Sequence, residues 1–248
     1  VKKVELSIVI PVYNSQSTIG LVVESLIYLY NKEFLLEIIL IDDNSIDDSL
    51  KICEKMGNLY ANVKVIHHKK NQGQHQALMT GLKQCSGNFV VLMDDDMQNP
   101  PFEVKKLINK IQEGYDVVIA KRITYNQTWL RKFLSSLNQS FIILSTKQKI
   151  SFSNFLIMRK SVVKVIVMDS STKPIIQGIL LRSKANITNI LTEHHMRGNS
   201  KSNYSVMRLF KFWLTTLHYM PKNVKYTLLL LILIVSVALI LSILLNLI

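Results

Sequence analysis

Cysteine is almost absent from this chain: Cys53 and Cys85 are the only two in 248 residues. Two thiols cannot staple a small secreted scaffold, and the simple reading is a pair of reduced thiols facing the cytosol, each a small buried hydrophobe. Glycine (8) and proline (5) are also scarce while 48% of residues are hydrophobic, which excludes a collagen-like or disordered chain. Neither G-x-G-x-x-G nor G-x-x-x-x-G-K-[ST] occurs, so the chain carries no dinucleotide fingerprint and no P-loop. No apolar stretch lies near Val1, and a signal peptide is therefore not expected. Acidic residues are outnumbered, 17 Asp+Glu against 30 Lys+Arg, for a net charge of +13.

The length suits one α/β domain with residues to spare, enough to bury a full core without metal or disulfide. Charge divides unevenly along it. Residues 1–100 hold 9 basic and 12 acidic side chains, whereas residues 101–248 hold 21 and 5. A second half this basic is expected to meet something anionic, such as phosphates, nucleic acid or a membrane surface. Residues 226–248 decide for the membrane: 23 residues without a charge, mostly Leu, Ile and Val. As a helix they span roughly 35 Å, enough for a hydrocarbon core of about 30 Å. Lys222 and Lys225 precede the run with no acid nearby, which places the globular part in the cytoplasm by the positive-inside rule. The run is still apolar at Ile248, compatible with a single span or with a second one beyond it. Just upstream, residues 205–220 carry Val206, Phe210, Trp213, Leu217 and Met220 at helical spacing. Arg208, Lys211, Thr215 and His218 line the opposite face, and Pro221 follows. Such a helix beside a span is expected to lie in the headgroup layer.

The first half alternates strands and helices. Apolar runs at 6–12, 36–41, 63–67, 89–93 and 115–120 read as strands; 18–30, 47–56, 74–84 and 101–112 read as helices, the last opened by a proline. That alternation predicts a parallel sheet with helices on both faces, whose ligands bind at the carboxyl ends of the strands. Polar residues gather at those ends: Tyr13-Asn14, Asp42-Asp43 and Asp94-Asp95-Asp96. Three carboxylates converging at one strand end repel each other unless a cation lies between them, and Mg²⁺ or Mn²⁺ favours such oxygens together with substrate phosphates. A solvated acidic turn is the other reading of the same three residues. His67-His68 and His194-His195 are not expected to share a metal, because neighbours on a strand point to opposite faces. His75, at a helix start, is read as touching a phosphate or capping the helix.

Ile10-Pro11-Val12-Tyr13-Asn14, Ile41-Asp42-Asp43-Asn44-Ser45 and Asp94-Asp95-Asp96 together resemble the GT-A fold of glycosyltransferase family 2. Asn71-Gln72-Gly73-Gln74-His75 and the run from Met93 to Pro101 resemble, more narrowly, the polyprenyl-phosphate glycosyltransferases. These include dolichol-phosphate mannose synthases and undecaprenyl-phosphate 4-deoxy-4-formamido-L-arabinose transferases. Gly114-Tyr115-Asp116-Val117-Val118, Lys121-Arg122 and an ungapped R-x-x-G-x-[ST]-K-Y match at Arg197 through Tyr204 extend the likeness over nearly the whole chain. The departures are Ser15 where the family often has Glu, Ser200 for Gly, Asn203 for Lys, and Asn154 near a position often acidic or small.

The resemblance implies an α/β GT-A (Rossmann-like), mostly parallel sheet flanked by helices, followed by an amphipathic interfacial helix and a transmembrane helix. Its parts are 1–125 (nucleotide-sugar binding), 126–204 (acceptor side), 205–222 (interfacial helix) and 223–248 (span). It implies an inverting transferase that moves a sugar from a nucleotide sugar, UDP-sugar favoured and GDP-sugar allowed, to a polyprenyl phosphate on the cytoplasmic face of the bacterial inner membrane. Pro11, Tyr13, Asn14, Asp42, Asp43, Asn71, Gly73, Gln74, Asp94 and Asp95 would hold the nucleotide sugar. Asp94 and Asp96, with Gln98, would hold Mg²⁺ or Mn²⁺. Arg122, Arg131, Arg197 and Ser202 would grip the acceptor phosphate, with Arg122 and Arg197 joining Asp94 and Asp96 as catalytic groups. A lipid monophosphate is already ionised near neutral pH and needs no strong base. The lipid bilayer is an expected partner, nucleic acid is not, and self-association is left open. A processive polysaccharide synthase of the same fold would carry Q-x-x-R-W, a string absent here. A non-catalytic membrane-tethered module is opposed by the intact carboxylate cluster, and a nucleic-acid binder by basic charge that sits beside a span rather than on a recognition helix.

Overall fold

Side chains along β1 (Val4–Val12) alternate between two buried faces: Leu6, Ile8, Ile10 and Val12 join one apolar cluster, and Val9 joins another. The same alternation runs through β2 (Phe34–Asp42), where Leu36, Ile38 and Leu40 face one way and Ile39 and Ile41 the other. Burial on both faces is what makes these strands near-continuous hydrophobic runs. The computed structural model describes residues 4–122, 150–169 and 175–194.

The remaining elements are α1 (Ile19–Tyr30), α2 (Ser49–Leu59), β3 (Val63–His67), α3 (Gln74–Gln84), β4 (Phe89–Leu92), a 3₁₀ turn (Pro101–Glu103), α4 (Val104–Gln112), β5 (Val117–Arg122), β6 (Leu156–Arg159), α5 (Lys160–Val167), α6 (Ile176–Arg182) and β7 (Ile187–Thr192). They build one seven-stranded sheet in the order β3-β2-β1-β4-β6-β5-β7. Helices α1, α2 and α4 pack on one face; α3, α5 and α6 pack on the other.

The five strands expected from the first half all form and share one direction. Periodicity did not reveal β6, although the family resemblance implies a strand leading to Met158-Arg159; it enters between β4 and β5 and runs antiparallel to both. It starts at the end of the sheet where β5 stops, since Leu156 pairs with Ile119. Because β5 pairs with β6 and β7, the sheet continues across the boundary expected at residue 125.

The second and fourth helices have other bounds than the periodicity predicts. The fourth helix opens with the 3₁₀ turn, which places Pro101 where its missing N–H costs nothing. Helix α2 starts at Ser49 and continues past Gly57 to Leu59. Asp47 is held outside it, where its side chain accepts the Ser49 N–H at 3.0 Å. Gly57 is tolerated because the helix lies close to β3: a Cβ there would sit 3.1 Å from Val65. Cys53 is buried and Cys85 half-buried; both are free, and burial pushes their thiols up to about 12 and about 11.

Residues 205–248, with the expected interfacial helix and span, lie outside the described residues, as do Arg131, Arg197 and Ser202. Among the described residues no helix is long and apolar enough to cross a membrane.

Helix α3 comes tight against the sheet at Gly81. A Cβ there would collide with Val9 Cγ1 and lie 2.6 Å from Ile41 Cδ1, and Val9 is a stiff β-branched neighbour. Gly81→Ala gains about 1 kcal/mol of helix propensity, but overpacking costs about 1–3 kcal/mol. The expected net result is a lower midpoint of chemical denaturation; an unchanged or raised midpoint would show that α3 can lift off the sheet cheaply.

Candidate active site

With both sheet faces covered, polar chemistry is left to the strand ends. Four loops follow β1, β2, β3 and β4 at the same edge: residues 13–18, 43–48, 68–73 and 93–100. Their backbones need φ > 0 at Asn14 (54°), Asn44 (62°), Gly73 (88°) and Met97 (58°). Asparagine and glycine adopt this region readily; Met97 holds it at a cost of roughly 1–2 kcal/mol. Strain of this kind persists only where neighbours over-determine the turn.

Those neighbours are the other loops. The first meets the second through Asn14 N–H donating to Ser45 Oγ (3.1 Å), Ser15 N–H to Ser49 Oγ (2.7 Å) and Ile46 N–H to Asn14 Oδ1 (2.9 Å). Gln16 adds its N–H to Asp47 Oδ2 (3.2 Å) and accepts the Asp48 N–H at 3.0 Å. The second loop holds the third: Asp43 Oδ1 takes His68 Nδ1 (2.7 Å) and the Gln72 N–H (2.9 Å), while its Oδ2 takes the Gly73 N–H (2.7 Å). His68 is buried, and its Nε2 lies 3.0 Å from Thr80 Oγ1. Third meets fourth where Gln74 Nε2 donates to Asp94 Oδ1 at 2.6 Å. Fourth returns to first where Asp95 Oδ2 accepts the Tyr13 N–H at 3.1 Å and the Ser15 hydroxyl. The four loops close into a ring.

Within that ring Tyr13, Asn14, Asn71 and Gln74 are exposed; Gly73, Asp94, Asp95, Asp96 and Gln98 are half-buried. Pro11 is buried in β1, Asp42 is fully buried and Asp43 is 3% exposed. Asp42 Oδ2 takes the Ser45 N–H (3.2 Å) and His67 Nδ1 (2.9 Å), whereas its Oδ1 is buried with no hydrogen-bond partner. Asp96 Oδ1 accepts the Gln98 N–H at 3.1 Å, so it is the backbone of Gln98 that orients the carboxylate.

The expected convergence of three aspartates is not what forms. Asp94, Asp95 and Asp96 turn to three different donors, as like charges do when each has one within reach. Among the described residues no group of three His, Cys, Asp or Glu gathers to hold a metal ion. Burial raises the Asp95 carboxyl above its ordinary value against the pull of its Ser15 and Tyr13 hydrogen bonds.

Arg122 ends β5 opposite Thr192, the last residue of β7, five residues before Arg197. His75 does not cap α3: no side chain caps that helix, and His75 Nδ1 is buried without a partner.

The sequence reading passed over Ser15, Ser45, Asp47, Ser49 and Gln72 as site residues, and it gave His67 and His68 no partners. The two histidines had a usable signal. Asp42-Asp43 and His67-His68 are doublets at the ends of neighbouring parallel strands, and the register pairs Asp42 with His67.

A model of glycosyl transferase family 2 matches residues 7–180. An undecaprenyl-phosphate 4-deoxy-4-formamido-L-arabinose transferase of Proteus mirabilis is 38% identical over 144 residues, 57% of this chain and 44% of that protein. One of the same name from Yersinia pestis is 34% identical over 218 residues, 84% and 64% respectively. The chain thus spans between 44% and 64% of the length of these curated relatives. Among solved structures, glucosyl-3-phosphoglycerate synthase of Mycobacterium tuberculosis with UDP superposes with a TM-score of 0.65 at 19% identity, covering 89% of this chain and 82% of that one. The same enzyme with Mn²⁺, UDP and phosphoglyceric acid gives 0.58 at 20% identity, with 79% and 72% covered. At that identity the likeness shows the GT-A-like fold.

Burial lowers His75 below the ordinary histidine value of 6.5. Between the lowered folded value and about 6.5 the unfolded chain binds more protons than the folded one. The stability contributed here is full above that window and is lost as pH falls through it. His75→Phe should flatten the decline in urea stability between pH 7 and 5; the same slope in both proteins would locate the acid sensitivity elsewhere.

Proposed function

We propose, from the premise that this chain belongs to glycosyl transferase family 2, that it transfers a sugar from a nucleotide-diphosphate sugar to a polyprenyl phosphate. The observation that carries the reading is the ring of four strand-end loops that presents Asp94 and Asp96 on one short turn. Relatives named as undecaprenyl-phosphate sugar transferases, 32–38% identical, support the acceptor class. The UDP bound by the structural neighbour supports a uridine donor over a guanosine one.

The donor set fits a hard divalent cation. Two half-buried carboxylates, each oriented by a hydrogen bond, would hold Mg²⁺ or Mn²⁺, with the remaining ligands coming from the diphosphate. When bound there, the ion stabilises the charge that builds on the departing diphosphate. Gln74 holds Asp94, and the Gln98 N–H holds Asp96, so neither carboxylate must reorganise as that charge appears. Asp42 Oδ1 has no hydrogen-bond partner, and would suit the ring N–H of uracil or guanine only if donor binding uncovered it. Loops one and two, with Pro11, Tyr13, Asn14 and Asp43, frame the base and ribose; Asn71, Gly73 and Gln74 stand on the phosphate side.

In the transfer an oxygen of the lipid phosphate forms a bond to C1 of the sugar. The bond from C1 to the donor phosphate breaks on the opposite face, and the nucleoside diphosphate leaves with the electron pair. No proton has to move, so no general base is required. Holding the anionic acceptor falls to Arg122, Arg131, Arg197 and Ser202, with guanidinium groups suited to two-point phosphate binding. Residues 205–222 and 223–248 would seat this site at the cytoplasmic face of the bacterial inner membrane. The acceptor's chain then stays in the bilayer, saving about 0.8 kcal/mol for each CH₂ that would otherwise be extracted.

The test is to incubate membranes carrying the protein with polyprenyl phosphate and a panel of UDP- and GDP-sugars and to look for lipid-linked sugar. Asp96→Asn should lower the rate by about 10²–10³, as loss of a major electrostatic stabiliser does. Full activity in excess chelator would overturn the metal role. Product on a polysaccharide or another lipid would move the protein to a different acceptor.

Membrane seating has its own test. Removing residues 223–248 should leave protein that still adsorbs to anionic vesicles, and removing 205–248 should abolish co-sedimentation. Equal sedimentation of both would make residues 205–222 an ordinary part of the domain.

A further inference from the structure

We infer that Asp95 is a positioning residue whose Oδ2, by holding the Tyr13 N–H and the Ser15 hydroxyl together, sets the spacing between the loop that frames the nucleoside and the loop that holds its diphosphate. The inference rests on the donor reading above and assigns Asp95 work that its position between two ligand aspartates hides.

The geometry is specific. Asp95 Oδ2 accepts the Tyr13 N–H at 3.1 Å and the Ser15 hydroxyl, bridging 82 and 80 residues of sequence. Its neighbours point elsewhere: Asp94 meets Gln74, and Asp96 meets the Gln98 N–H. Ser15 is 9% exposed, and its own N–H is taken by Ser49 Oγ at 2.7 Å. The hydroxyl has two acceptors within reach, the Asp95 carboxylate and the Tyr13 carbonyl, 3.3 Å away. Between the two anchored residues lies Asn14 at φ 54°, and two residues past Asp95 lies Met97 at φ 58°. Each turn is held in an uncommon conformation, and the Asp95 bridge ties one to the other.

The bridge gives a use to the serine at position 15, where the family resemblance expects glutamate. The acidic partner of this turn stands on the facing loop instead, and a hydroxyl short enough to reach it stands at 15. Removing the carboxylate would leave a backbone donor and a hydroxyl without that acceptor, and the first loop would lose its one described link to the fourth.

Donor kinetics and amide hydrogen exchange of the full membrane-bound protein test this. Asp95→Ala should raise the donor KM by about tenfold or more while kcat falls less, because the distance between subsites is loosened and the metal ligands remain. Exchange protection of the Tyr13 amide should drop in the same variant. Asp95→Asn keeps an amide oxygen that can accept both bonds and should recover most of both losses, which a lost metal ligand would not allow. Ser15→Ala should give a smaller KM effect, and the double variant should be no worse than Asp95→Ala alone. An Asp95→Asn protein as impaired as Asp95→Ala would make the charge the essential property and overturn the positioning role. Full additivity of the two substitutions would overturn it as well. Unaltered donor KM in Asp95→Ala, beside an active wild-type protein, would refute this inference alone. A wild-type protein that transfers no sugar and binds neither UDP nor GDP with Mn²⁺ would refute the donor reading and this role with it.

Discussion

The covered sheet is the constraint on which the site depends. Helices bury both faces, so the strands can offer neither face to a ligand, and every polar group of β1 to β4 that can reach one is pushed to the strand ends. Loops at such an edge carry many backbone N–H groups that neighbouring strands no longer pair. Here those donors are met by side chains of other loops: Asp43 takes two, while Asp95, Asp47, Ser45 and Ser49 each take one or more. Hydrogen bonds to charged groups are worth about 1.5–3 kcal/mol each, enough to hold turns at Asn14 and Met97 that the backbone alone would avoid.

The ring also distributes charge. Seven aspartates lie at one edge, yet Asp42 and Asp43 each hydrogen-bond an imidazole, Asp47 accepts the Gln16 and Ser49 N–H groups, Asp48 pairs with Lys51, and Asp95 is occupied by the first loop. Gln74 Nε2 donates to Asp94, and the Gln98 N–H donates to Asp96. A diphosphate approaching such a pair is repelled unless a cation of higher charge sits between them. The acidic edge and the proposed anionic donor together favour a divalent ion, where neither would alone.

Much of the fold was readable in the sequence because parallel, doubly buried strands leave a strong trace. The runs ending at Val12, Asp42, His67 and Leu92 are apolar and β-branched, and each is followed by turn residues. Strand β6 left no such trace: four residues, Leu156–Arg159, are too few for periodicity to separate from a helix, and its direction depends on a pairing partner far away in sequence. The acidic motifs of the site were visible for the same reason the strands were, since they end apolar runs. The serines were not. Ser15, Ser45 and Ser49 look like ordinary loop residues until the backbone brings residues 31 to 34 apart into contact, and Asp95 looks like a third metal ligand until its partners are seen. Spacing can reveal what a loop contains, but which atoms it uses to hold another loop depends on the tertiary fold.

The reversed strand gives the opposite end of the site a different character. Because β6 runs against β4 and β5, residues 150–155 come down onto the same edge as the four donor-side loops. They too are stitched in place, but by neutral groups. Asn189 accepts the Ser151 N–H at 2.8 Å and donates to the Ser151 and Ile119 carbonyls, Ser153 donates to the Ala120 carbonyl at 2.8 Å, and Gln177 donates to Asn154 at 2.8 Å. Neither residues 150–155 nor β7 contains a carboxylate. The proposed acceptor, a phosphate without a metal of its own, would be repelled by the carboxylates of the proposed donor side. Amides and hydroxyls can order that loop at no electrostatic cost to an anion, leaving the basic second half of the chain to attract it. On the proposed function, carboxylates brace the side that would take a cation, and neutral groups brace the side that an anionic acceptor would have to approach unaided.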